Sequence, residues 1–260
     1  MNTLDIKQGR FFLVDKPYTW TSFQVVKKLK IAIRKLTGEK KFKIGHAGTL
    51  DPLATGLLVV CLGKWTKKIE EFQQLDKVYT GSFHLGATTK SFDMEHEEDF
   101  QYPIEHITEE LIKKTAESFI GEQLQTPPVY SAVKIGGKRL FAYARSADNT
   151  DNCDGNTEVN TNKNSLQEIE SGIKSRKITV YDFQITDIKM PEVFFSVKCS
   201  KGTYIRSLAR DFGMRLNSGA YLSSLRRESI GDYNVDSALT PDAWEKAITA
   251  MEIQNNVSSN

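Results

Sequence analysis

The sequence predicts an α+β fold with a mixed, largely antiparallel central sheet flanked by helices. Apolar runs typical of strands are interspersed with amphipathic helical patterns, but without the regular strand–helix–strand repeat of a parallel α/β protein. The chain has 260 residues and 39% hydrophobic content, which is enough to build a full core. No internal repeat at solenoid spacing is present in the sequence, so we expect a globular protein.

The elements of the N-terminal half follow from apolar spacing and turn residues. In order, we predict a strand at 11–14, a turn at 15–17, a helix ending at Gly38, a buried strand at 57–62, a strand at 77–85 and a helix at 108–120. Thr21 or Ser22 can cap the first helix, because a side-chain oxygen there accepts from a free backbone amide. Gly38 can end it, because glycine adopts the left-handed conformation at low cost.

The C-terminal half is predicted in the same way. We expect extended chain at 127–132, a hairpin turn at 136–137, strands at 178–183 and 193–199, a helix at 203–216 and one helix within 241–253. Asn, Asp, Thr and Ser dominate residues 146–166, with little apolar surface to offset ordering entropy. We interpret this segment as a low-complexity, disordered surface insertion.

Composition narrows the class of protein. The longest apolar run is too short to span a bilayer, and the first residues do not resemble a secretory signal. The 3 cysteines form no CxxC pair, which argues against a disulfide framework. We therefore expect a cytoplasmic protein without membrane association.

Positive charge is concentrated in one stretch, although the net charge is only +2. Residues 27–43 contain 8 Lys or Arg residues and a single acid, Glu39. A local basic stretch suits a phosphate backbone, but a solvated helix face would have the same composition. The two interpretations are evenly balanced.

The glycine-rich stretch 44–56 is the strongest candidate for a site. It contains three glycines, one histidine (His46) and one carboxylate (Asp51) between the basic helix and the buried strand. Pro52 disfavours a helical conformation at Asp51, so we expect Asp51 to lie in a stiff, extended turn. A tight turn that merely uses Asp and Gly is the structural alternative.

Carboxylate chemistry is the only class that these motifs leave open. The 4 histidines show no metal-binding spacing, and neither a Walker loop nor a Gly-x-Ser-x-Gly motif is present. A carboxylate can add covalently to a sugar or base carbon if a nearby cation keeps it ionised. Arg206 is the candidate cation, and Tyr79 could stack on a planar ring or act as a local base. Without a motif, the favoured interpretations are a surface or core-capping role for Arg206 and a core aromatic for Tyr79.

Six stretches in register resemble the TruB family of tRNA pseudouridine synthases. They are the GHxGTLDPxATG motif at 45–56, the DKP motif at 15–17, the K-x-Y strand at 77–79, the KxxGKxLYxYAR segment at 134–145, the SKGTYIR motif at 200–206 and the LRR motif at 225–227. Together they cover residues 10 to 240. The resemblance implies the catalytic fold of pseudouridine synthases.

The same resemblance implies a role for each motif residue. Asp51 is expected to be the nucleophile that attacks a flipped uridine, with Arg206 paired to it and Tyr79 stacked on the target base. Substrate contacts are expected from His46, which supports the displaced RNA loop, from Lys16 and Pro17, which shape the pocket, and from Asp93 and Leu225 near the base. The expected substrate is the uridine at position 55 in the T loop of tRNA. No metal and no cofactor are expected.

The resemblance also implies a domain organisation and partners. We expect one catalytic domain over 1–240 and a C-terminal helix and tail over 241–260, without an RNA-binding domain of the PUA type. The predicted partner is the T-arm stem-loop of tRNA, and we expect a monomer with no obligatory protein partner. The alternatives are a subunit of a guide-RNA pseudouridylation complex, a non-catalytic RNA-binding or RNA-folding protein, and a glycoside hydrolase. The last would need two carboxylates flanking a bond.

Overall fold

The structure is a computed structural model that describes residues 3–131, 134–135, 138–140 and 173–253. The predicted insertion 146–166 and the turn 136–137 lie outside the described residues. The chain divides into two compact units. The first unit comprises 1–82, 194–201 and 224–260, and the second comprises 83–193 and 202–223.

Helices and strands are mixed along the described chain. The α-helices are α1 (Ser22–Thr37), α2 (Ile69–Gln74), α3 (Glu109–Glu117), α4 (Ile205–Arg215) and α5 (Pro241–Thr249), and two 3₁₀ turns span Gly63–Lys68 and Val235–Ser237. The strands are β1 (Thr3–Leu4), β2 (Phe11–Lys16), β3 (Ile44–Ala47), β4 (Ala54–Leu62), β5 (Lys77–Leu85), β6 (Ala87–Thr89), β7 (Glu98–Gln101), β8 (Gly121–Gln125), β9 (Lys134–Ile135), β10 (Lys138–Arg139), β11 (Arg176–Lys189), β12 (Glu192–Cys199), β13 (Ala220–Ile230), β14 (Tyr233–Asn234) and β15 (Glu252–Ile253).

Strand β4 is the centre of the sheet in the first unit. It pairs antiparallel with β2 along one edge, while β13 and β3 share its other edge. The β13 pairing lies at the start of β4 and is parallel, whereas β3 pairs antiparallel near its end. Parallel and antiparallel pairs therefore meet on one strand, and the predicted α+β fold with a mixed sheet is confirmed.

Residues of β4 contribute to the core from both of its faces. Leu58 and Val60 pack in a cluster with α1 and β2, to which Ile248 of α5 also belongs. Leu57 and Val59 pack in a second cluster with Phe72 of α2. Burial on both faces explains why β4 is a continuous apolar run without alternation.

Helix α1 begins and ends where the sequence predicts. The Thr21 hydroxyl accepts from the Gln24 amide and the Gln24 side chain accepts from the Thr21 amide, which forms a capping box. Gly38 ends the helix in the left-handed region, with φ of 72°. Ser22, the other candidate cap, is instead the first helical residue and is buried.

The described part of the second unit combines short antiparallel pairs with helices α3 and α4. Strand β8 pairs with β11, β6 pairs with β7, and β9 pairs with β10. Its aromatic cluster joins four rings at centroid distances of 5.3–6.2 Å, namely Phe83, Phe119, Phe183 and Phe212. Such a cluster buries a large apolar area and anchors α4, which carries Phe212, against this unit.

Two sequence-based expectations need correction. Residues 220–230 were not expected to form a strand, yet β13 is one of the longest strands described. The turn expected at 15–17 begins later, because Asp15 and Lys16 still pair with β4.

Among the described helices, none combines the length and apolar character that a bilayer crossing requires.

Candidate active site

The glycine-rich stretch 44–56 forms a β-hairpin together with the rest of β4. Residues 44–47 form β3, the chain turns over 48–53, and β4 begins at Ala54. Asp51 lies at the centre of this turn, called here the Asp51 turn. The Asp51 carbonyl accepts from the Ala54 amide at 3.1 Å, which closes the turn, and Asp51 is half-buried.

Helix α1 holds the residue immediately before Asp51. The Ser22 hydroxyl accepts from the Leu50 amide at 2.9 Å and lies 3.2 Å from the Leu50 carbonyl, to which it donates. Both Ser22 and Leu50 are buried. Because each hydrogen bond is shielded from water, the start of α1 fixes the backbone on the N-terminal side of Asp51.

Lys16 holds the residue immediately after Asp51. Its ammonium donates to the carbonyls of Pro17 at 3.1 Å, Trp20 at 2.6 Å and Pro52 at 3.2 Å. Its side chain is fully buried, and burial lowers its pKa to about 8, while the charge of Asp51 acts in the opposite direction. The three carbonyls match the three N–H groups of an ammonium, so the site is shaped for charged lysine.

Arg227 of β13 holds the two arms of the hairpin. Its guanidinium donates from Nε to the Leu57 carbonyl at 2.7 Å and from Nη2 to the Gly48 carbonyl at 3.2 Å. Only 2% of Arg227 is exposed. In the sheet register Gly56 is paired with Lys16 on one side and Arg227 on the other, so two buried cations flank the strand that follows the Asp51 turn.

Gly56 is required for this arrangement. Its φ is +100°, and a Cβ there would lie 2.3 Å from the Arg227 carbonyl oxygen and 2.7 Å from the Arg227 nitrogen. The glycine thus allows β4 and β13 to approach closely. The glycine at position 56 of the motif therefore has a steric cause in this chain.

Tyr79 lies on β5 and is buried. Burial raises the pKa of its phenol, whereas the charge of Arg227 and hydrogen bonding from the same guanidinium act to lower it. The net rise keeps the phenol neutral at pH 7. A neutral ring suits stacking better than the role of local base that the sequence left open.

His46 lies on the first strand of the hairpin, and Leu225 lies on the strand that pairs beside the second. His46, on β3, is half-buried, and its pKa is lowered by burial and then by Arg227, with the Gly48 backbone acting in the opposite direction. Its imidazole is therefore neutral at pH 7. Leu225 of β13 is half-buried and pairs with Ala54, the first residue after the Asp51 turn.

Arg206 and Asp93 form a buried ion pair in the second unit. Arg206 Nε lies 3.6 Å from Asp93 Oδ2, and Nη1 and Nη2 donate to the carbonyls of Ser91 at 3.2 Å and Tyr130 at 2.8 Å. Arg206 is 4% exposed and Asp93 5%. The predicted pairing of Arg206 with Asp51 stays a prediction.

Part of the basic stretch 27–43 is neutralised within the first unit. Lys28 of α1 forms ion pairs with Asp242 and, at 3.1 Å, with Glu245, both on α5. Lys35 lies 3.8 Å from Glu245. The lysines of this helix are therefore of two kinds, and those that face α5 do not offer their full charge to a ligand.

Comparison with known proteins decides the family. The family model described as TruB family pseudouridylate synthase (N terminal domain) matches residues 34–164. A protein of Flavobacterium johnsoniae named tRNA pseudouridine synthase B is 50% identical over 242 residues, which covers 93% of this chain and 96% of that protein. The chain belongs to the TruB family. The expectation that it is an enzyme, a pseudouridine synthase, is thereby confirmed.

Other members of the TruB family match over nearly the whole chain. A tRNA pseudouridine synthase B of Phocaeicola vulgatus is 41% identical over 255 residues, with 98% of this chain and all of that protein covered. Among solved structures, a Cbf5-Nop10-Gar1 complex is similar with a TM-score of 0.63 and 26% identity. The match covers 95% of this chain but only 60% of that one, so it shares the catalytic fold over part of a longer protein.

Proposed function

We propose that this TruB family member converts uridine to pseudouridine at position 55 in the T loop of tRNA, with Asp51 as the nucleophile. The names of the relatives, tRNA pseudouridine synthase B, support the substrate class. The proposed role of Asp51 is supported by its position in the first unit, where two different side chains form hydrogen bonds with the backbone on either side of it. Ser22 holds Leu50, and Lys16 holds Pro52.

The reaction is an isomerisation, so no atom is gained or lost overall. The Asp51 carboxylate adds to the flipped nucleotide, the bond between C1′ and N1 breaks, and the base turns within the site. A bond then forms between C1′ and C5, the proton on C5 is lost to solvent or a nearby base, N1 takes up a proton, and Asp51 leaves. Addition at the sugar C1′ and addition at the base C6 both satisfy this balance.

A buried positive charge lies in the same unit as the proposed nucleophile. The ammonium of Lys16 is buried and interacts electrostatically with Asp51. A cation in a water-poor environment stabilises a neighbouring carboxylate more strongly than it would in bulk water. In our proposal Arg206 adds a second cation and pairs with Asp51, while Asp93 orients the guanidinium of Arg206.

The remaining residues act on the uridine and the RNA. Extruding a base from a stacked loop costs a few kcal/mol, and stacking on an aromatic ring returns about 1–3 kcal/mol. Tyr79 supplies that ring, since its phenol is buried and neutral. Pro17 and Leu225 shape the pocket around the base, and the neutral imidazole of His46 supports the displaced RNA loop.

An assay on a T-arm stem-loop tests the proposal. Tritium release from uridine labelled at C5 measures turnover, and retention of the stem-loop on a filter measures binding. We expect Asp51→Asn to reduce tritium release to background while binding persists, because the substitution removes the nucleophile and little volume. Asp232→Asn, at an exposed turn, is the matched control and should behave as the wild type.

Two results would contradict this proposal in different ways. Wild-type turnover by the Asp51→Asn variant would remove Asp51 from the chemistry. Equal turnover of a stem-loop with cytidine at position 55, but uridine elsewhere in the loop, would show that the modified position is wrong. A matching assay for Arg206→Ala should show a much larger loss in turnover than in binding if Arg206 pairs with Asp51.

The partner predictions are part of the same proposal. We propose that the chain acts as a monomer on tRNA without an obligatory protein partner. The solved relatives with Nop10 and Gar1 are longer proteins found in complexes, which makes the question worth testing. Turnover by the purified chain alone, at a molecular mass matching one copy in solution, would support the proposal. A requirement for added cell extract would contradict it.

A further inference from the structure

Arg227 is an unusual buried cation. It is the largest fully buried side chain described, its guanidinium donates to two backbone carbonyls, and within the described residues it forms no ion pair with a carboxylate. An arginine buried without a carboxylate retains its charge at a cost in desolvation. That cost indicates that the guanidinium does something a neutral side chain of similar volume could not do.

The two carbonyls that Arg227 binds lie on opposite arms of the hairpin. Gly48 precedes Asp51 in the turn, and Leu57 follows it on β4. A guanidinium is planar and presents its N–H groups at fixed spacing, so one side chain sets the distance between the two arms. A lysine ammonium at the same position would be a point charge on a flexible stem and would lack this fork.

The same guanidinium also interacts with Tyr79. Arg227 lies on β13 and Tyr79 on β5, which are neighbouring strands of one sheet. The charge of Arg227 and hydrogen bonding from it both act to lower the pKa of the Tyr79 phenol, against the larger effect of burial. Arg227 therefore interacts at once with the hairpin that carries the proposed nucleophile and with the ring that is proposed to stack on the base. Within the first unit, one planar guanidinium thus links the hairpin to the Tyr79 ring.

We propose that Arg227 is a positioning residue for pseudouridine formation, which fixes the Asp51 turn relative to the Tyr79 ring without itself contacting RNA. The inference rests on the proposed function. It assigns to the third residue of the LRR motif a role that the motif itself does not reveal. It also predicts that the loss of Arg227 affects turnover and not RNA binding, because the bound RNA meets the same surface.

Variants of Arg227 and its neighbour test this role. Arg227→Gln removes the charge and the fork, and Arg227→Lys keeps the charge but removes the fork. Arg226→Gln is the matched control, because Arg226 is half-exposed and binds the side chains of Asp15 and Glu228. Turnover number, KM for the T-arm stem-loop and melting temperature are measured for each variant beside the wild type and Asp51→Asn.

We expect both Arg227 variants to lose turnover by about 100-fold, the effect of a 1 Å misplacement at a reacting centre, with KM changed by no more than about twofold. Arg226→Gln should keep wild-type turnover. A double-mutant cycle with Tyr79→Phe adds a readout that general destabilisation would not give. The combined loss should be smaller than the product of the single losses, since both substitutions break one arrangement.

Each other result has a definite meaning. Wild-type turnover in Arg227→Gln overturns the inference and leaves the proposed function intact. Full rescue by Arg227→Lys overturns it in favour of a role for charge alone. Loss of the cooperative melting transition in both variants, or a rise in KM equal to the fall in turnover, shows that Arg227 serves folding or RNA binding and also overturns it. If the wild type and Asp51→Asn are equally inactive, the proposed function fails first and the inference fails with it.

Discussion

Helix α1 keeps most of its lysine and arginine side chains at the surface, whereas the Asp51 turn is built around two cations that water does not reach. Lys16 and Arg227 are 0% and 2% exposed, and each donates to backbone carbonyls beside the turn. On α1, Lys28 and Lys35 pair with acids of α5, and Lys27 is exposed without an ion pair among the described residues.

The difference separates two uses of positive charge. A solvated lysine attracts RNA at long range and is weakened by salt, whereas a buried cation fixes the backbone and polarises its neighbours. Composition alone indicates helix α1 as the more important basic region, because it holds more charges. Geometry indicates the Asp51 turn, because its few charges act at short range in a low dielectric.

The largest expected effect is that of Gly56→Ala, because β4 and β13 leave no room for a side chain at this position after the Asp51 turn. A Cβ there meets the Arg227 backbone at 2.3 Å, at a φ of +100°. Overpacking together with a left-handed conformation should destabilise the protein by about 3 kcal/mol or more. Gly38→Ala at the end of α1 is the control, since its φ is +72° but nothing lies within 4 Å of the added Cβ.

Gly38→Ala should cost only the conformational term, about 1–2 kcal/mol. Urea unfolding of both variants measures the difference. Equal destabilisation of the two proteins would show that the close approach of β4 and β13 is not what Gly56 is needed for. Such a result would contradict a steric difference between Gly56, beside the Asp51 turn, and Gly38, at the end of α1.

The buried charge of Lys16 gives the next largest expected effect, through pH. Burial lowers its pKa in the folded protein to about 8, below the ordinary lysine value of 10.5. Between these values the unfolded chain holds more protons than the folded one, so this residue contributes stability that increases as the pH rises. We expect the free energy of unfolding of the wild type, minus that of Lys16→Met, to increase from pH 8 to pH 10 by up to a few kcal/mol.

Lys35→Met on α1 serves as the surface control for this experiment, because its side chain is mostly exposed. The same difference measured for Lys35→Met should be nearly flat over that pH range. A flat difference for Lys16→Met as well would mean that the ammonium of Lys16 is as well solvated as a surface lysine. That result would contradict the contrast between buried and exposed cations.

The smallest expected effects concern the lysines of α1 itself. Lys27→Gln should reduce the slope of log affinity for the T-arm stem-loop against log salt concentration by about one, if Lys27 contacts a phosphate. Lys28→Gln should leave that slope nearly unchanged and lower stability by no more than about 1 kcal/mol, because its charge is already paired with α5. Equal changes in slope for the two variants would show that the pairing does not limit access to RNA.

Much of the fold can be predicted from local patterns. Helix α1 has a cap, an apolar stripe and a terminal glycine, and β4 is a single apolar run, so each carries its own signal. Strand β13 does not, because it contains Ser, Arg and Glu, and its start is paired by tertiary contacts that no short window contains. For the same reason β3 could not be separated from the turn that follows it.

The candidate site divides along similar lines. The TruB motifs indicate Asp51, Tyr79 and Arg206, and their roles stay predictions that mutagenesis must test. Ser22 and Arg227 were missed as site residues, although the sequence contains them in plain motifs. In the sequence, Ser22 has the pattern of a helix cap, and its bond to Leu50 depends on tertiary structure. Arg227 has the pattern of a surface cation. A buried arginine in a strand is recognised only once its carbonyl partners are known.

The hydrogen bonds between Ser22 and Leu50 also have a mechanical consequence. Helix α1 has 16 residues, which makes it a rigid rod of about 24 Å, and its first residue is fastened to the backbone beside Asp51. A displacement of α1 would therefore also move the Asp51 turn. Helix α5 is linked to α1 through the ion pair of Lys28. The stiffness of α1 thereby becomes a property of the site alongside its charge.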